Sequence, residues 1–387
     1  MADAAAELPP ALRDLAALVG LRENAARQRE RSESEWSALI DLARRHRVEA
    51  LLAAVVADNG IPVGAPTARR LARLRLQEHR RNIRSQAVLT EVAQAFAEAN
   101  IPFLLLKGAS IGERYYDEPL DRRAIDLDLL VGLDDLRAVT LLHGRGFAST
   151  GHAASIAGEP PPAYRRVAAD HTLWRESDRT SLELHWRLSR NSMFPPWDGD
   201  FLFARSEPMR IGRLGLDVQV LSAPVLFAYL LCHGARHLWF RLKWLADIDR
   251  MLARLGEDEC AEAAQLAGQA RCGRAFHTGL ALCREVLGSP LPAAHDPSQV
   301  HDGLIDAMMA ALREEAIPGE HGLVSAWRTF RARLLLRDGA AYRAELLRYY
   351  LISPTDVARH GSKPIPFPLL VAAGPLLGLR RLLAKFS

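Results

Sequence analysis

Residues 67–100, TARRLARLRLQEHRRNIRSQAVLTEVAQAFAEAN, keep Leu71, Leu74, Val88, Leu89, Val92 and Phe96 at helical spacing over a run longer than an ordinary globular helix. After Asn100 the period changes. IPFLLL is short and apolar, bounded by Pro102 and Lys107-Gly108; GASIGERYY reads as a short helix through Ile111 and Tyr115; AIDLDLLV at 124–131 starts with period two. Strand, helix, strand is the minimal reading. Helix-forming residues precede it, with Gly and Pro clustered only near DNGIPVGAP, and Gly/Pro-punctuated helical sequence follows from Ser222. The expected fold is therefore α+β: a small mixed β-sheet core at 100–221, flanked by helical regions at 1–99 and 222–387.

Within the core, LDDLRAVTLLHGRGF predicts a helix ending near Gly144 or Gly146. The polar, Gly/Pro-rich TGHAASIAGEPPPAY predicts a loop that lies over a site or is disordered. HTLWRES and TSLELHWRL predict a hairpin turning around residues 177–179. Ser222 is placed to cap the next helix, with Pro224 in its first turn.

A chain of 387 residues, 49% hydrophobic and 25% charged, has the composition of a globular protein long enough for two or three units. Fifty basic residues against forty-six acidic ones leave a net charge of +4, spread along the chain. This suits an anionic small molecule and falls short of the basic stripe of a duplex-binding protein. The arginines at 69, 70, 73, 75, 80, 81 and 84 have no interleaved aromatic residues to stack on bases, so they read as a solvated helix face with acidic neighbours. Nucleic acid is an unlikely partner on these grounds.

Cys232, Cys260, Cys272 and Cys283 form no CxxC pair and read as buried thiols of a reducing cytoplasm. The acidic start MADAAAELPPALRDL is not a signal peptide, and no run is long and apolar enough to span a membrane; the expected location is cytoplasmic. The tail PIPFPLLVAAGPLLGLRRLLAKFS, broken at Pro375 and basic at Arg380, Arg381 and Lys385, is expected to dock on the body, with weak peripheral membrane contact as its alternative. No GxSxG, Walker A or GxGxxG motif is present.

Chemistry concentrates in AIDLDLLV. Residues i and i+2 of a strand share a face, so Asp126 and Asp128 stand side by side while Ile125, Leu127 and Leu129 turn to the core. Two carboxylates so placed repel unless something positive lies between them, and a divalent cation is the natural candidate. If TSLELHWRL pairs in the same sheet, Glu183, between Leu182 and Leu184, supplies a third carboxylate. An oxygen-only set favours Mg²⁺ or Mn²⁺ over zinc. His233 and His237 share a helix face, but HGARH lacks the glutamate of HExxH and no third ligand is placed, so they read as satisfied or supporting histidines. Trp239, Trp244 and Leu245 read as core, and Asp247 as a partner for Lys243 or an arginine.

The set LLLKGASIGERYY, DRRAIDLDLLV, LELHW and HGARHLWFRLKWLADI, in this order over residues 100–255, resembles an uncharacterised bacterial nucleotidyltransferase family of the DNA-polymerase-β-type superfamily, with Lys-Gly in place of the commoner Gly-Ser. The resemblance implies transfer of a nucleoside monophosphate from an NTP, ATP by default, to a hydroxyl acceptor on a small molecule, natural product or protein, with pyrophosphate leaving. It implies that Asp126, Asp128 and Glu183 hold Mg²⁺ or Mn²⁺. It also implies that Lys107, Gly108 and Ser110 cradle the triphosphate, and that Arg122 or Arg123 neutralises the leaving group. Two alternatives stay open: a catalytically silent nucleotide-binding protein on the same fold, and modification of RNA ends.

Overall fold

A computed structural model describes residues 8–22, 25–212, 215–314 and 322–360. Its strands are β1 (Phe103–Leu105), β2 (Asp126–Val131), β3 (Ala148–Ser149), β4 (Asp170–Arg175), β5 (Thr180–His185), β6 (Ser206–Ile211) and β7 (Leu216–Leu221). Together they form one mixed sheet in the order β3-β4-β5-β2-β1-β7-β6. β2 runs parallel to β5 and antiparallel to β1, β1 runs parallel to β7, and β4–β5 and β6–β7 are antiparallel pairs. With helices as the larger part of the chain, the fold is α+β.

The chain divides into two compact units, neither continuous in sequence. The described parts of Met1–Ile83, Ile111–Arg123 and Ser222–Asp338 make a helical unit. Those of Arg84–Ser110, Ala124–Leu221 and Gly339–Ser387 make the unit that carries the sheet. The long run read from sequence is a single helix, Ala65–Glu98, whose residues from Arg84 onward belong to the sheet unit.

Strand alternation builds the sheet unit. Leu127, Leu129 and Val131 of β2, Leu182 and Leu184 of β5, Leu173 of β4 and Val218 and Val220 of β7 are all buried. They share a core with Val88, Leu89, Val92 and Phe96, which recur at intervals that put them on one helix face. Each such side chain removed from water contributes roughly 1.5–3 kcal/mol. The opposite face of β2 and β5 is left to Asp126, Asp128, Ser181, Glu183 and His185.

Four sequence readings change here. Residues 150–164, expected as a polar loop, are anchored in the sheet-unit core by buried Ala153, Ile156 and Tyr164, with a helix at Pro162–Val167. Pro161 and Pro162 stand as the N-cap and first residue of that helix. Ile125, expected toward the core, precedes β2 and is exposed. The β6–β7 hairpin adds a strand pair to those expected. Trp244, read as core, is half-buried, whereas Trp239 and Leu245 are fully buried.

In the helical unit, Arg75 pairs with Asp121, its Nε 2.7 Å from Oδ1; Arg70 pairs with Asp41 at 2.6 Å and Arg81 with Glu78 at 2.5 Å. These arginines face carboxylates of their own unit. Among the described residues no helix is long and apolar enough to cross a membrane. The tail at 364–387, for which docking and membrane contact were weighed, lies outside the described residues.

Candidate metal and phosphate site

The register of β2 against β5 assembles the site. Asp126 lies opposite Ser181, Asp128 opposite Glu183 and Leu130 opposite His185. Because partners in a parallel pair project to the same face, the two strands place carboxylates and an imidazole side by side. One ligand atom each from Asp128, Glu183 and His185 lie within 4.8 Å of one another. β4 borders this group, with Asp170 opposite His185 and Thr172 opposite Glu183.

The segment after β1 closes the other side. The Leu106 amide donates to the Asp128 carbonyl at 3.0 Å, which sets Lys107 so that its Nζ lies 2.5 Å from Asp128 Oδ1. Gly108 has φ +88°, in the left-handed region that L side chains rarely adopt, so the Lys-Gly turn requires glycine there. Ser110 follows in the helix Ala109–Tyr115; its hydroxyl is buried and has no hydrogen-bond partner among the described residues.

Asp128 is only 1% exposed, so its charge must be met inside the protein. Lys107 meets it from one side. From the other, His185 Nε2 lies 3.2 Å from Asp128 Oδ1 and 3.3 Å from Glu183 Oε2. Burial opposes charge on this imidazole, but hydrogen bonds to Asp128 and Glu183, with the fields of Asp170 and Asp128, outweigh it and lift its pKa to about 10. The ring is thus an imidazolium near neutral pH, and two cationic side chains hold the carboxylates together.

Once the imidazole gives up its proton, the same groups fit a divalent ion. Ligand atoms about 2.1 Å from a metal lie roughly 3–4 Å from one another, close to the spacing here. The group that could hold an ion includes His185 beside two of the carboxylates expected from sequence. Two carboxylates and an imidazole suit Mn²⁺ and other first-row ions besides Mg²⁺. Asp126 is half-buried on the same face, two residues before Asp128 and outside the three-residue group.

Sequence reasoning missed His185, although LELHW carried its signal: it stands at i+2 from Glu183, the spacing that singled out Asp126 and Asp128.

Arg122 and Arg123 belong to the helical unit and are engaged there. Arg122 is buried and grips Asp247 with two parallel bonds, Nε to Oδ1 at 2.8 Å and Nη2 to Oδ2 at 2.9 Å, while the Tyr116 hydroxyl donates to Oδ1 at 2.8 Å. Asp247 therefore pairs with an arginine. Arg123 pairs with Glu49 and comes within 3.9 Å of Glu78, whose carboxyl pKa is raised by burial. All four cysteines are buried free thiols.

This chain belongs to the uncharacterised nucleotidyltransferase family, which it matches over residues 32–288. It is accordingly a transferase of phosphorus-containing groups, for which the family implies an NTP substrate. The match reaches well into the N-terminal helical region, beyond the motifs at 100–255. No curated protein is significantly similar to the chain.

Proposed function

We propose that the protein transfers a nucleoside monophosphate from an NTP, with ATP as the default donor, to a hydroxyl on a small molecule, natural product or protein, releasing pyrophosphate. The observation that carries this reading is the convergence of Asp128, Glu183 and His185 within 4.8 Å, beside Lys107 on a glycine turn. In this reading Asp128, Glu183 and His185 hold a Mg²⁺ or Mn²⁺ ion, with Asp126 adding a carboxylate at the same face. When bound, the ion supplies charge neutralisation at the triphosphate and lowers the pKa of the attacking hydroxyl.

The chain's own groups do the rest. Lys107 exchanges part of its contact with Asp128 for phosphate oxygens, the Gly108 backbone allows their close approach, and the buried Ser110 hydroxyl donates a hydrogen bond. Glu183 takes up the proton of the acceptor hydroxyl. The buried pair with Asp247 supports a structural role for Arg122 in place of direct contact with the leaving pyrophosphate.

Incubation with α- or γ-labelled NTP, Mn²⁺ or Mg²⁺ and cell extract tests the reaction class. Labelling of an acceptor from the α position, with release of pyrophosphate, is expected. Labelling from the γ position instead identifies a kinase and contradicts the proposal. A second reading, a silent nucleotide-binding protein, draws support from the cationic side chains already on Asp128; it predicts NTP binding with no pyrophosphate release over hours.

A further inference from the structure

In the sheet order, β4 lies beyond β5, while β1 and the Lys107 turn lie beyond β2, so the metal group stands between two flanks of one face, all within the sheet unit. Alternation along β4 buries His171, Leu173 and Arg175 and leaves Asp170, Thr172 and Trp174 half-buried on the face that carries Glu183 and His185. The register then defines three cross-strand rows: Trp174, Ser181 and Asp126; Thr172, Glu183 and Asp128; Asp170, His185 and Leu130. Side chains directly opposite in such rows stand about 5 Å apart. Thr172 is thus the neighbour of Glu183, and Trp174 that of Ser181.

The neighbour of Trp174 on the edge strand β3 is Ala148, exposed and too small to cover an indole. The indole Nε1 donates to Glu176 Oε2 at 2.7 Å, which ties the ring by its edge. Thr172 Oγ1 donates to Asp170 Oδ2 at 3.4 Å, and the same oxygen lies 3.5 Å from His152 Nε2. Apart from His185, the side chains that β4 and β5 turn to this face carry no positive charge: they are a tryptophan, two hydroxyls and two carboxylates. Nucleotidyl transfer decides which flank serves which substrate, because the attacking and leaving oxygens lie in line on opposite sides of the transferred phosphorus. With the pyrophosphate held by Lys107, Gly108 and Ser110 on the β1 flank, the acceptor hydroxyl reaches Glu183 from the β4 flank. There the hydroxyls and carboxylates take hydrogen bonds from hydroxyl groups, the negative indole face attracts C–H bonds polarised by neighbouring oxygens, and the carboxylates repel an anion.

We infer that Trp174, with Thr172 and Asp170, forms the acceptor subsite and selects an uncharged, polyhydroxylated ring such as a sugar. This rests on the nucleotidyl-transfer reading and adds to it the side of entry and the class of acceptor. The acceptor oxygen bonds to the α-phosphorus as its proton passes to Glu183 and the bond to pyrophosphate breaks. Saturation-transfer NMR on the full chain tests the subsite with two sets of probes, methyl glycosides of the common hexoses and the corresponding hexose phosphates, with Mg²⁺ and α,β-methylene ATP present.

At least one methyl glycoside is expected to receive saturation from the parent, to lose most of it in Trp174→Ala and to regain it in Trp174→Phe, while the hexose phosphates receive none. Thermal unfolding of each variant is followed; should alanine prevent folding, Trp174→Leu, which keeps bulk without the ring, gives the same comparison. Calorimetric titration of the parent with ATP and Mg²⁺ separates two failures. ATP binding without any glycoside bound, glycoside signals equal in the parent and Trp174→Ala, or hexose phosphates bound as well as glycosides overturns the subsite alone. Absence of ATP binding overturns the nucleotidyl-transfer reading and the subsite with it.

Discussion

Lys107 and His185 each place positive charge against Asp128, a carboxylate with almost no access to water. We predict that Lys107→Ala weakens NTP binding about tenfold while lowering the unfolding temperature only modestly, because His185 still neutralises Asp128. Titration calorimetry and thermal unfolding check the two halves; loss of folding with unchanged NTP affinity in the folded fraction would make Lys107 structural. That Asp128 and Glu183 share a face was legible from sequence, because the alternation of an apolar run fixes which side chains point the same way. His185 was less legible because a histidine next to a tryptophan is ambiguous, and only the register of β5 against β2 shows that its ring turns toward the carboxylates.

At the scale of elements, the alternation of AIDLDLLV and TSLELHWRL was enough to expect strands, but not that β2 and β5 run parallel with Asp128 opposite Glu183. That pairing is a long-range choice which local sequence does not encode. The β6–β7 hairpin was harder to read because β6 is an edge strand with Ile211 its one buried residue, so its pattern is mostly polar. Arg122 shows the opposite difficulty: its position near DxD suggested phosphate, whereas its side chain joins the segment before β2 to the helix Leu242–Leu252 through Asp247. Breaking one side of a buried pair strands the other charge. Arg122→Ala is therefore expected to cost about 3–5 kcal/mol, measured by urea unfolding, and Arg122→Ala/Asp247→Ala much less than the sum of the single changes. A loss below about 1 kcal/mol would contradict the pair's structural role.

Over the whole molecule, each unit carries a buried histidine that folding keeps neutral. Burial, with Arg45 and Arg241 nearby, lowers His46 to about 3, and its Nδ1 accepts from the Leu242 amide at 3.1 Å. Burial, with His143 and His152, lowers His171 to about 3. A depressed histidine opposes protonation in the folded state, so its contribution is intact above the unfolded value of 6.5 and is lost as pH falls from there toward 3. We predict a loss of about 1.4 kcal/mol per pH unit from each, seen as a falling unfolding temperature between pH 6.5 and 5 and less steep in His46→Gln; a flat profile would contradict it. The central claim, that the face shared by β2 and β5 is a divalent-ion site, is tested most directly by Mn²⁺ binding followed by electron paramagnetic resonance in the parent and in Asp128→Asn. We predict one Mn²⁺ site in the parent and a loss of affinity of about a hundredfold or more in the variant. The ion-free variant should also melt lower, because Lys107 and His185 lose their shared carboxylate. Equal Mn²⁺ affinity in parent and variant would contradict the metal site at Asp128.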